Sequence, residues 1–174
     1  MIPDSVTSIG EDAFSDCSSL TSVVIPDSVT SIGNHAFYNC NSLTSVVISD
    51  NITRIGEYTF YKCINLTSVT IPDKVTKIGD CAFYGCSCLT RVIIPDNVTK
   101  IGINAFWDCY SLTSIIIGNR VISIGKTVFY NCDSLTNIIF NGTIEKWNII
   151  SKDKGWKGHI PAKKIICSDG VIEL

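Results

Sequence analysis

The same residues return every 23 positions along this chain, six times in succession. Ile2, Ile25, Ile48, Ile71, Ile94 and Ile117 mark equivalent points in six units. Three further columns are invariant: Gly10, Gly33, Gly56, Gly79, Gly102 and Gly125; Phe14, Phe37, Phe60, Phe83, Phe106 and Phe129; Leu20, Leu43, Leu66, Leu89, Leu112 and Leu135. A fixed period of this size is the signature of a solenoid, in which each unit is one coil stacked on the last. The repeats occupy residues 2–140 as one elongated domain, and the period fails after Phe140, leaving 141–174 as a cap.

The coil from Ile25 to Val47 shows how the pattern dictates local structure. Leu43-x-x-Val46-x-Ile48 sends apolar side chains to one face and is rich in β-branched residues, which predicts a strand. Pro26-Asp27 turns the chain, Pro by fixing φ and Asp by accepting from a backbone N–H two residues on. Val29 and Ile32 point inward from a second short piece, extended or helical. Gly33 marks either a positive φ or a close approach of two coils. Ala36, Phe37 and Cys40 follow at helical spacing and predict one turn of α- or 3₁₀-helix. Val29, Ile32, Ala36, Phe37, Cys40, Leu43, Val46 and Ile48 therefore face inward, with Thr59 and Val128 the departures in the alanine column. One coil has no second face to bury against, so stacking must supply it. Stacked phenylalanines then form a spine with rungs ~4.8 Å apart.

The pattern I-P-D-x-V-T-x-I-G-x-x-A-F-x-x-C-x-x-L-T-x-V-x closely resembles the 23-residue class of BspA-like leucine-rich repeats. In the tail, Asn141-Gly142-Thr143, Trp147, Trp156 and Cys167-Ser168-Asp169-Gly170 resemble the segment that often ends such arrays. The resemblance implies an α/β solenoid: a right-handed stack of six coils with a parallel strand per coil, closed by a C-terminal helix and hairpin. It also implies a microbial cell-surface or secreted setting, where several members are adhesins for host or bacterial proteins. Fold transfers on such a resemblance far better than function.

Within the tail, Thr143 is placed to N-cap a short helix through Trp147 to Ile150, with Glu145 near its positive end. Residues 151–164 are polar and Lys-rich and read as a loop. Lys164-Ile165-Ile166-Cys167 and Val171-Ile172-Glu173-Leu174 flank Ser168-Asp169-Gly170 as a hairpin. These elements suit a lid over the last coil, with a lysine-lined binding surface as the alternative.

The net charge of −2 gives no reason to expect nucleic acid as a partner. Apolar runs such as Ile115-Ile116-Ile117 stop after a few residues, so no membrane insertion is expected in this segment. Met1-Ile2-Pro3-Asp4 lacks the basic and apolar regions of a signal peptide. The first coil also starts without the polar cap that a free solenoid end needs, so the sequence is expected to begin inside a longer chain.

Catalysis and cofactors find little support. Of nine cysteines, Cys17, Cys40, Cys63, Cys86, Cys109 and Cys132 form one inward column. Parallel neighbours lack the dihedral near ±90° that a disulfide requires, so these read as buried thiols with loop backbone as their hydrogen-bond partner. Cys81, Cys86 and Cys88 cluster without a histidine or zinc-knuckle spacing. Asp4, Asp27, Asp50, Asp73, Asp96 and Asn119 form a column that fits turn capping better than calcium. His35 and His159 each stand alone, His35 at a variable surface position, and no nucleophile motif is present. No enzyme, metal or cofactor is expected. Asn51, Asn65, Asn97 and Asn141 head Asn-x-Thr sequons that the repeat consensus itself creates.

Two surface columns are more suggestive. Side chains flanking the inward strand residue read Ser22/Val24, Ser45/Val47, Ser68/Thr70, Arg91/Ile93, Ser114/Ile116 and Asn137/Ile139. This β-branched stripe is either a protein-binding face or simply the residue preference of strands. Tyr38, Tyr61, Tyr84, Trp107 and Tyr130 form an aromatic ladder that either binds protein or carbohydrate or covers the coil edge by self-stacking. Arg54, Lys77 and Lys100 read as a solvated face. The resulting expectation is a non-catalytic protein-binding module of a surface adhesin, its partner a host matrix or bacterial surface protein. A structural spacer or stalk and an intracellular scaffold are the alternatives.

Overall fold

Each coil contains two places where inward and outward side chains alternate, and each place becomes a strand. The computed structural model describes residues 2–174. Ser22–Val24, Ser45–Val47, Ser68–Val69, Arg91–Ile94, Ser114–Ile117, Asn137–Phe140 and Lys164–Cys167 lie side by side as seven parallel rungs of a front sheet, which Gly170–Glu173 ends as an antiparallel eighth strand. Register is strict: Ser22 faces Ser45, Val23 faces Val46 and Val24 faces Val47. A slip of one residue would turn the inward Val column to solvent, so the core itself holds the register.

The second short piece, left open between extended and helical, is extended. Arg54–Ile55, Lys77–Ile78, Lys100–Ile101, Ser123–Ile124 and Ser151–Lys152 make a five-stranded parallel back sheet, and Ser8–Ile9 pairs with Ser31–Ile32. Between the sheets all eight inward positions of the second coil are buried. The phenylalanines stack from Phe14 to Phe129 with centroids 5.2–5.9 Å apart, somewhat wider than the expected strand spacing.

The helical turn expected over Ala36–Cys40 is not present, so the coils are β-solenoid rather than α/β. Two successive β-turns take its place, closed by Tyr38 N–H to His35 O at 2.9 Å and Cys40 N–H to Phe37 O at 3.4 Å. The remaining donors leave the coil: His35, Phe37 and Asn39 N–H reach Glu57, Thr59 and Tyr61 O of the next coil at 2.9, 2.9 and 2.7 Å. A helix would hold these donors within its own coil, whereas the turn aims them along the stack and ties each rung to its neighbour. The geometry puts His35 and Asn39 in the left-handed region, with φ of 56° and 57°, as it does their equivalents in other coils. Among the described residues the one helix is Ile144–Ile149, and no helix is long and apolar enough to cross a membrane.

Close approach, not positive φ, explains the Gly33 column. A Cβ on Gly79 would stand 2.6 Å from the carbonyl carbon of Gly56 in the preceding coil, whereas one on Gly10 would meet nothing within 4 Å. The Pro-Asp turn is closed by backbone, Val29 N–H donating to Pro26 O at 2.9 Å. At one of these turns the aspartate contact runs between coils instead of to a residue two positions on, Asp96 Oδ1 accepting from Asn119 N at 2.9 Å.

After Phe140 the chain covers the last coil. Thr143 N-caps the helix by accepting from Lys146 N at 3.2 Å, with Glu145 in the first turn. Trp156 packs edge-on against Phe129, and Trp147 packs edge-on against both Phe140 and Trp156. Lys152, inside the segment read as loop, donates its ammonium to Ile150 O (2.9 Å) and to Trp147 O, which also accepts from Ile150 N–H, and so adds a second tie at the helix end. Burial lowers its pKa.

Candidate partner-binding surface

The alternation that buries Val46 thrusts Val47 outward, and the same geometry recurs on every rung. Val24 and Val47 are each 58% exposed and Ile93 is 50% exposed; Thr70 and Arg91 are exposed; Ile116 and Ile139 are half-buried between their neighbours. The stripe runs further than the repeats. Ile139 faces Ile166, and Ile166 faces Val171 across the hairpin, with both of the latter more than 40% exposed. Reading Lys164-Ile165-Ile166-Cys167 as a strand held that signal, because alternation sends Ile165 inward and Ile166 outward. Beside the stripe run Ser22, Ser45, Ser68, Arg91, Ser114 and Asn137. Flanking threonine hydroxyls are already occupied, Thr44 donating to Thr21 O and Thr113 to Thr90 O at 3.0 Å.

The aromatic ladder stacks on itself. Tyr38–Tyr61 and Tyr61–Tyr84 centroids are 4.7 and 4.8 Å apart and nearly parallel, and Tyr84–Trp107 and Trp107–Tyr130 follow at 5.9 and 4.4 Å. Each ring face inside the ladder therefore lies against a neighbour. Burial, reinforced by Asp108, pushes the Tyr84 hydroxyl up to about 12, so it stays a neutral donor. His35 extends this flank, its ring stacked 4.8 Å from Tyr58.

The inward cysteines are free thiols bonded to backbone. Cys40, Cys63, Cys86, Cys109 and Cys132 donate S–H to Phe14, Phe37, Phe60, Phe83 and Phe106 O at 3.1–3.3 Å. Burial, helped by the Cys17 thiol, raises Cys40 to about 11, and burial pushes Cys63 and Cys86 higher still. Cys40, Cys63 and Cys86 stay protonated, and the thiol column fastens coil to coil. On the back sheet Arg54, Lys77 and Lys100 stand in register, with Arg54 donating to Asn34 Oδ1 at 3.2 Å. Three sequon amides are also engaged: Asn51, Asn65 and Asn97 Nδ2 donate to Asp27, Asn41 and Asp73 O at 2.7–2.8 Å. At the first coil an apolar hollow of about 720 Å³, lined by Ile2, Val6, Phe14, Leu20 and Val23, exposes one end of the core.

A parallel solenoid of 23-residue coils with inward Leu, Phe and Cys columns defines a class of leucine-rich repeat protein. The description "BspA type Leucine rich repeat region", in six copies, matches residues 1–110 and 53–151, and the chain belongs to this family. It is similar to the T. pallidum leucine-rich repeat protein TpLRR, 34% identical with a TM-score of 0.73 over 75% of this chain and 61% of that one. A leucine-rich cell surface protein of Faecalibacterium prausnitzii is 30% identical, with a TM-score of 0.52 over 88% of this chain and 56% of that one. The pneumococcal vaccine antigen PcpA shares the fold at 22% identity and a TM-score of 0.66, over 86% of this chain and 42% of that one. The chain thus spans less than two thirds of each of these relatives' lengths. A search of curated proteins finds no match.

Proposed function

We propose that the chain is a non-catalytic protein-binding module of a microbial cell-surface protein and mediates adhesion to host or neighbouring-cell proteins through the front sheet. The observation that carries this reading is the outward β-branched stripe, which pairs Val24 with Val47 and then runs from Ile93 through Ile116, Ile139 and Ile166 to Val171, with Thr70 between the two stretches. Strand preference explains β-branched residues within the repeats. The hairpin outside the repeats continues the same apolar row through Ile166 and Val171. The description of the Faecalibacterium relative as a cell surface protein supports the setting. Affinity would come from many shallow contacts on a rigid surface, with no moving part.

Replacing Val47, Ile93 and Ile116 together by Glu is expected to abolish capture of a partner from host-matrix or neighbouring-cell extract while leaving the far-UV circular dichroism unchanged. Undiminished capture by the triple variant would place the site elsewhere. A spacer would capture nothing even with the native face.

A further inference from the structure

Granting the front face as the binding surface, we propose that its occupant is an amphipathic α-helix of the partner, laid across the strands along the solenoid axis with a carboxylate over Arg91. Four consecutive rungs present isoleucine: Ile93, Ile116, Ile139 and Ile166. Their strands have paired neighbours on both sides, so their backbone groups are committed within the sheet. An extended segment lying on this row would bury its own N–H and C=O groups against methyls, and each one left unmatched is destabilising. A helix brings its backbone bonds with it.

The spacing agrees. Strand rungs recur every ~4.8 Å and helix turns every ~5.4 Å, so about one turn meets each rung. The mismatch of ~0.6 Å per turn reaches half a rung after about four turns, which matches the four-isoleucine run and a helix of about 15 residues. Charge then sets the register. Arg91 sits beside Ile93 on the exposed row, and among the described residues no carboxylate lies within 4.0 Å of it. At the opposite end Lys164 is likewise in no ion pair among the described residues, but Glu173 stands across from it in the hairpin, whereas the register neighbours of Arg91 are Ser68 and Ser114.

The test is a methyl NMR titration of the full chain with three synthetic 16-residue peptides: a Leu/Ala amphipathic helix with Glu in one terminal turn, the same peptide with Lys for Glu, and the Glu composition reordered to alternate as a strand. The helical Glu peptide is expected to shift the Ile93, Ile116, Ile139 and Ile166 methyls and to bind about threefold tighter than its Lys counterpart, with Arg91→Glu reversing that preference. If the alternating peptide binds as tightly, or Arg91→Glu leaves the preference unchanged, the helix inference falls while the front face stands. If no peptide moves these methyls yet the Val47/Ile93/Ile116 triple variant loses partner capture, again only the helix is refuted. If the triple variant also keeps capture, the front-face reading falls with it.

Discussion

The first and sixth coils share the same inward Phe, Cys and Leu, yet they live in different surroundings. Phe129, Cys132 and Leu135 are fully buried, enclosed by the preceding coil and by Trp156 with the tail behind it. Their counterparts Phe14 and Leu20 are half-buried and Cys17 is exposed, because a coil packs against them on one side alone. The same residue is therefore core or surface according to what is stacked on it, and stability in such a molecule is a sum over contacts between neighbours.

The largest test of that contrast is the spine. Phe83→Ala is expected to cost about 3–5 kcal/mol and Phe14→Ala less than about half as much, read from urea unfolding. Equal losses would show that the stack unfolds without regard to position. The glycine column comes next. Gly79→Ala forces a methyl into the Gly56 backbone and should cost about 1–3 kcal/mol, whereas Gly10→Ala should stay within about 0.5 kcal/mol.

A smaller effect is expected from pH. Burial raises Cys40 from 9.0 to about 11, so the unfolded chain releases this proton where the folded chain keeps it. Its contribution is complete below pH 9 and is lost as pH climbs toward 11, and the urea midpoint should fall over that window. In the same contrast, a thiol reagent should modify Cys17 in the native state but Cys63, Cys86 and Cys109 only on unfolding. The smallest effect is a gain. Thr127 is β-branched at φ 51°, and Thr127→Asn should add about 1 kcal/mol by placing there a residue that tolerates the left-handed region.

Stacking, the inward columns, the thiol column, the Thr143 cap and the hairpin were legible because each follows from spacing or from a residue with one strong local preference. The double turn was not. Ala36, Phe37 and Cys40 fit a helical spacing equally well, and the left-handed column of Asp12, His35, Tyr58, Cys81, Asn104 and Thr127 shares no chemistry that would betray it. The second such column did hold a signal, since Asp16, Asn39, Gly85, Asp108 and Asn131 are the types that accept positive φ, with Lys62 as the exception. On the front face, the extension through Ile166 and Val171 was hidden because the hairpin lies outside the repeat. Lys152 gave no sign at all, since its role depends on where a six-residue helix happens to end.

The strict 23-residue register has a genetic consequence. A duplicated in-frame segment encoding one unit would insert a rung whose thiol finds a phenylalanine carbonyl, whose threonine finds a threonine carbonyl and whose glycine fits the backbone before it. Lengthening or shortening such a gene by whole units leaves every junction chemically identical, so lineages can vary the reach of the molecule without redesigning its interior.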